Sequence, residues 1–168
     1  MEFDEIRRRL SAVERPLTGL GVSLRASLDS WDRLPAATCV HTGVVVEHIL
    51  RDLWRRLGLK GPPERRQLED LLTGTARKME DEGTPLPRRI HDHVRALQLT
   101  RNRAAHHWEA NRDDALDCLW RLSDIAGWYF TAFPVSPSAG AESAPVPADA
   151  AAPPPKPPPA DRPDPSPP

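Results

Sequence analysis

The sequence predicts an all-α protein: an up-and-down helical bundle of about four to six helices over residues 1–133, followed by a disordered Pro/Ala-rich tail or linker over 134–168. Three observations predict it. Apolar side chains recur at three- and four-residue steps through most of the first 133 residues, the spacing that lines one face of a helix. The breaks between these runs fall at glycine and proline, the residues that end helices and make turns. And 14 of the 20 prolines lie from Pro134 onward, so the end of the chain is a different kind of polymer from its beginning.

The elements follow in order. Phe3, Ile6, Leu10 and Val13 share a helical stripe over 3–14, with Arg7, Arg8 and Arg9 between them. The triple arginine is either a solvated face or a phosphate-contacting patch. Pro16 interrupts the pattern, and Leu17, Leu20, Leu24, Leu28 and Trp31 resume it, so this region is one kinked helix or two short ones. Pro35 opens the next helix, where a missing N–H costs nothing. That helix runs to about Leu57, with Val40, Gly43, Val46, Ile49, Leu50, Leu53 and Trp54 on a wide apolar face that makes it central. Glu47 falls on that same side, where a carboxylate must be paired or reach water; Arg101 is its candidate partner. After Gly61-Pro62-Pro63, a helix over 64–82 carries Leu68, Leu71, Leu72, Ala76 and Met79. The next, over 86–106, carries Ile90, Val94, Leu97 and Leu99. A break near Glu109-Ala110-Asn111 precedes a last helix, whose first turn holds Asp113 and Asp114, where the helix dipole favours acids. That helix is apolar on more than one face (Leu116, Leu119, Trp120, Leu122, Ile125, Trp128, Tyr129 and Phe130 among others). It is therefore the bundle's centre or half of a dimer interface.

Composition narrows the function. Residues 1–133 hold 21 basic and 20 acidic side chains, and the remainder 2 and 4, within a whole-chain net charge of −1. No strong global field draws the protein to nucleic acid, so any RNA contact must be local. Cys39 and Cys118 both fall in apolar helical surroundings and read as small buried hydrophobes of a reducing compartment. No apolar run approaches a membrane span and no signal-peptide core is present, so the expected location is the cytoplasm, with no membrane partner. The run Pro153–Pro159, broken only by Lys156, is polyproline II-like, either a linker or terminus or a ligand of SH3-type domains.

The chemistry gathers at Arg101-Asn102-Arg103-Ala104-Ala105-His106-His107-Trp108. Histidine exchanges a proton near neutral pH. Arginine holds a permanent planar charge that fits phosphate oxygens with paired hydrogen bonds. A proton-transfer group beside a phosphate clamp is what metal-free cleavage of RNA needs. On a regular helix Asn102 and His106 share a face, while Arg101 lies about 100° round from Asn102. The three converge only if they line the mouth of a groove or if the helix ends at the motif. A purely structural reading also stands: the helix dipole alone favours His106 and His107 at a C-terminus, and Arg101 simply pairs with Glu47. No cofactor or metal is expected. His91 and His93 point to different sides of a helix, His41 and His48 lie two turns apart, and no Cys-x-x-Cys or His-Glu-x-x-His pattern exists.

Arg101-Asn102, three residues, then His106 resembles the Arg-x(4–6)-His motif of HEPN domains. The run Leu99–His106 is most similar to the HEPN-related domains of restriction, toxin–antitoxin and other conflict proteins, and the likeness covers about residues 36–133. It implies a small helical bundle that dimerises, and a metal-independent endoribonuclease with an RNA substrate and a possible antitoxin or effector partner. The alternative it implies is a catalytically inactive dimerisation or interaction module. By the resemblance Arg101, Asn102, His106 and His107 are the catalytic candidates, with Glu47, Arg103 and Trp108 in support. Trp108 departs from the Arg-x4-His-x-Tyr pattern of the nucleotidyltransferase-paired toxins, in which that tyrosine is modified; an indole offers no hydroxyl to modify.

Overall fold

A computed structural model describes residues 2–14, 21–107 and 109–134. The tail predicted to be disordered and Trp108 lie outside the described residues, as do Leu17 and Leu20. The described chain is all-α, with six helices and no strand among the described residues: α1 Phe3–Glu14, α2 Gly21–Ser30, α3 Pro35–Arg56, α4 Leu68–Asp81, α5 Arg88–His107 and α6 Arg112–Ala132. None of these helices is long and apolar enough to cross a membrane.

The central element is α3, which packs on α2, α4, α5 and α6. Val45, Val46, Ile49, Leu50 and Leu53 of α3 are all buried, and they meet Leu71 and Leu72 of α4, Ile90, Val94 and Leu97 of α5, and Leu119, Leu122 and Ile125 of α6 in one apolar core. Pro35 does stand at the start of α3. Asp113 and Asp114 do fall in the first turn of α6, and Asn111 caps that helix reciprocally: its side chain accepts from the Asp114 N–H at 2.9 Å, while the Asp114 carboxylate accepts from the Asn111 N–H at 3.0 Å.

Cross-helix pairs give the directions. Arg89 and His93 meet Asp124, whereas Arg103 meets Asp114, so α5 runs antiparallel to α6. Cys39 lies against Cys118 and Asp52 against Tyr129, so α3 and α6 are parallel, and α5 is antiparallel to both. The two cysteines are free and fully buried. The Cys118 thiol is raised well above its ordinary pKa, first by its hydrogen bond to Cys39 and then by burial.

Two expectations are corrected. The helix expected over 64–82 is a 3₁₀ turn, Pro63–Arg65, followed by α4 from Leu68. Arg66 (φ −102°, ψ 145°) and Gln67 (φ −74°, ψ 159°) are extended and separate the two. Leu99, expected on the apolar face of α5, is 72 % exposed. The α5 stripe that reaches the core is Ile90, Val94 and Leu97, and Leu99 lies about 200° round the helix from Leu97. The triple arginine is paired locally: Arg8 and Arg9 with Glu5, and Arg7 with Asp29 at 4.0 Å.

Candidate functional site

Arg101 is set by the way α5 crosses α3. Its aliphatic stem lies directly on Gly43: a methyl group built at Gly43 would stand 2.8 Å from Cγ and 2.9 Å from Cδ of Arg101. Glycine is required there by close approach, because any side chain would push the arginine off the helix. One turn further along α3, Glu47 is the carboxylate that the sequence places on the apolar side. It lies between two arginines, ion-paired with Arg51 on its own helix and 3.8 Å from the Arg101 guanidinium. The side chains of Glu47, Arg51 and Arg101 are 18 %, 21 % and 31 % exposed, so the charges are neither sealed from water nor fully hydrated. The Nε donors of Arg51 and Arg101 are buried and have no hydrogen-bond partner among the described residues.

These groups line a pocket of about 360 Å³ in which Arg65, Arg66, Gln98 and Asn102 also take part. Trp54 holds the loop that brings Arg65 and Arg66 there. Its indole N–H donates to the Gly61 carbonyl at 3.2 Å. Its face carries the Arg66 guanidinium at 4.6 Å, a cation–π contact. Its edge lies on Gly74 of α4, where an added methyl would stand 2.4 Å from Cζ3. Gly61 itself has φ +85°, the left-handed turn that lets the chain double back.

The motif divides. Arg101 and Asn102 line the pocket, whereas His106 and His107 lie on the exposed last turn of α5, their ring centroids 6.5 Å apart. Asn102 and His106 sit on one face, about 6 Å apart along the axis at 1.5 Å rise per residue. Arg103 turns the other way and holds Asp114 at 2.7 Å, stapling α5 to the capped start of α6. Sequence reasoning missed Arg51, Arg65, Arg66 and Gln98. The available signal was the Gly61-Pro62-Pro63 break, which leaves the basic pair after it outside any α-helix.

A second histidine cluster lies at the other end of α5. His93 is 6 % exposed. Its Nδ1 is 3.0 Å from the Arg121 guanidinium and its Nε2 is 3.1 Å from the Asp124 carboxylate, while Arg89 reaches the same carboxylate at 3.0 Å. Burial, then the facing Arg121 charge, lower the pKa of His93 below the ordinary histidine value. The shift favours the neutral ring, which accepts from Arg121 at Nδ1; its Nε2, although close to Asp124, makes no hydrogen bond among the described residues, and neither does Asp124 Oδ2. No three metal-ligating side chains gather among the described residues. No family model matches the chain, nor does any curated protein or solved structure.

Proposed function

We propose that the chain is a HEPN-type, metal-independent endoribonuclease that acts in the bacterial cytoplasm, in a defence or toxin–antitoxin setting, as a homodimer. The observation that carries this reading is the seat of Arg101. The aliphatic stem is held on Gly43, which leaves the guanidinium at the rim of a polar pocket, only loosely engaged by Glu47, with the exposed His106 imidazole five residues further along the same helix. A catalytic arginine must be positioned yet free to meet a phosphate, and a 3.8 Å pairing to a shared carboxylate leaves it so.

In the proposed reaction the 2′-hydroxyl of the substrate attacks the adjacent phosphorus. The 2′-oxygen–phosphorus bond forms as the bond to the 5′-oxygen of the next nucleotide breaks, leaving a 2′,3′-cyclic phosphate and a free 5′-hydroxyl. His106 takes the 2′-hydroxyl proton or gives one to the leaving oxygen. The complementary step falls to His107 or to the second His106 across the dimer two-fold. Arg101 stabilises the charge that develops on the non-bridging oxygens, and Asn102 orients His106 or the phosphate.

The alternative reading is a catalytically inactive dimerisation or interaction module, recruiting an antitoxin or effector. One observation favours it: Leu99, 72 % exposed, shares a face of α5 with Asn102 and His106, and an exposed leucine beside polar groups suits a protein contact. The test is digestion of total cellular RNA in EDTA by the wild type, His106→Ala and Arg101→Ala. The expected result is wild-type cleavage that leaves cyclic-phosphate ends and is lost in both variants. No cleavage by a folded dimer, or equal cleavage by all three proteins, would sink the nuclease reading in favour of the interaction module.

A further inference from the structure

The pocket beneath Arg101 holds more positive charge than the proposed chemistry uses. Its lining includes Arg51, Arg65, Arg66 and Arg101 against the carboxylates of Glu47 and Glu64, an excess of two positive charges in a chain whose net charge is −1. The two carboxylates are already engaged, Glu47 by Arg51 and Arg101, and Glu64 by Arg55. Neither Arg65 nor Arg66 makes an ion pair among the described residues. Both are exposed, and Arg66 is nevertheless held in place, stacked on Trp54. A guanidinium fixed by stacking has lost its rotational freedom before any ligand arrives, so less of the binding free energy is spent on ordering it. The same pocket holds the uncapped start of α4: Gln67 is the N-cap residue and provides no side-chain cap, and Leu68 lines the cavity. The amides of a helix start are anion donors. Two buried arginine Nε donors without an acceptor add to the unanswered positive potential.

We propose that this pocket is a seat for a backbone phosphate of single-stranded RNA, one that flanks the cleaved bond rather than being cleaved itself. Arg65 and Arg66 grip the phosphate from the loop, Arg51 faces it from α3, and Gln98 offers an amide donor at the edge, while Arg101 at the rim stays with the cleaved linkage. The α5 residues that line the seat begin at Asn102, about 6 Å along the axis from His106. A phosphate held there sets the register of the strand, so that the neighbouring linkage is presented to the histidines. Arg65 and Arg66 are positioning residues in this scheme. The proposal rests on the ribonuclease reading for the identity of its ligand, and its test does not depend on cleavage.

The test is binding of a fluorescein-labelled, fully 2′-O-methylated oligonucleotide, which lacks the attacking hydroxyl, to the full chain by fluorescence anisotropy across a salt series. The proteins are the wild type, Arg65→Gln, the Arg65→Gln/Arg66→Gln double variant and His106→Ala, with fold checked by circular dichroism. The expected result is tight binding by the wild type and His106→Ala. Each glutamine should then lower the slope of log affinity against log salt by about 0.7, the value of one single-strand phosphate contact. Arg65 stacks on no ring among the described residues, so its variant reads the contact even if loss of Arg66 disturbs Trp54. Unchanged affinity and slope in Arg65→Gln and in the double variant would overturn the proposal. Displacement of the oligonucleotide by an equal concentration of inorganic phosphate would also overturn it, assigning the seat to the free anion. Binding that follows the arginines in a protein that cleaves nothing would uphold the seat while the nuclease reading falls.

Discussion

The two ends of α5 carry nearly the same residues in opposite circumstances. Near its start, His93 lies between Arg121 and Asp124 and is 6 % exposed. Near its end, His106 follows Arg101 and Asn102 on an open turn. At the first end the charges are matched by ion pairs: Asp124 lies within 3.1 Å of both Arg89 and His93, and Arg121 holds Asp117 at 2.7 Å. At the second end the arginines outnumber the carboxylates. A histidine held among fixed counter-charges in a sealed site is a structural group, even though its Nε2 and the facing Asp124 Oδ2 make no hydrogen bond among the described residues. The same side chain on an exposed turn beside excess positive charge is free to meet a ligand. The contrast shows that residue type is a weak guide, and that surplus charge and access are better ones.

The comparison can be broken most directly with the two histidines. Under the proposed function, His106→Ala should lower RNA cleavage on the order of 10²- to 10⁴-fold, the usual share of a general acid or base, with no change in melting temperature. His93→Ala should leave cleavage per folded molecule unchanged; the reverse pattern would assign the chemistry to the sealed end. Gly43→Ala sharpens the point at the open end. Its methyl group must displace the Arg101 stem, so cleavage should fall together with about 1–3 kcal/mol of stability, the usual penalty of overpacking; full activity in this variant would show that the seat of Arg101 is not what matters.

At the sealed end, His93→Ala strands Arg121 and Asp124 in part, and urea denaturation should report a loss of about 1–3 kcal/mol. The pH dependence should be its signature. Burial, then Arg121, lower the His93 pKa in the folded protein below the ordinary value of 6.5, against the opposing pull of Asp124. The unfolded chain therefore takes up the proton first. Stability is full above pH 6.5 and falls as the pH drops below it, until the folded-state pKa is passed. A His93→Gln protein should show a shallower decline between pH 7.5 and 5.5, and identical profiles would refute the assignment. The smallest effect belongs to the Arg103–Asp114 staple, whose partners are 47 % and 27 % exposed. Arg103→Gln should cost less than about 1 kcal/mol and leave cleavage intact; a large loss of cleavage would place Arg103 in the site after all.

Much of the fold was legible because it is written at short range. The 3.6-residue stripes located α3 to α6 and left the first region open as one kinked helix or two short ones, which the structure resolves as α1 and α2; Pro35 marked the start of α3, and Asp113 and Asp114 marked the start of α6. The start of α4 was misplaced because the Arg-rich stretch after Pro63 carries no apolar residue to betray its extended backbone. Leu99 was misread because one leucine outside the stripe looks like its neighbours in a linear count. Of the site, the Glu47–Arg101 pair was legible, since a carboxylate on an apolar face needs an answering charge. That Arg65 and Arg66 meet Arg51 and Arg101, that His93 is locked between Arg121 and Asp124, and that Cys39 touches Cys118 all depend on how helices cross. A single sequence does not record that geometry.

Glu47 has a consequence of its own. It already occupies, as a carboxylate, part of the place an incoming anion would take between Arg51 and Arg101. Any phosphate entering the pocket must outcompete this tethered rival, so net affinity is a difference between two ion pairs and not the sum of four arginines. Under the proposed phosphate seat, Glu47 is a built-in competitive antagonist at fixed local concentration. It keeps the guanidinium groups ordered while the pocket is empty, and it sets a threshold below which weakly charged or solitary anions fail to displace it.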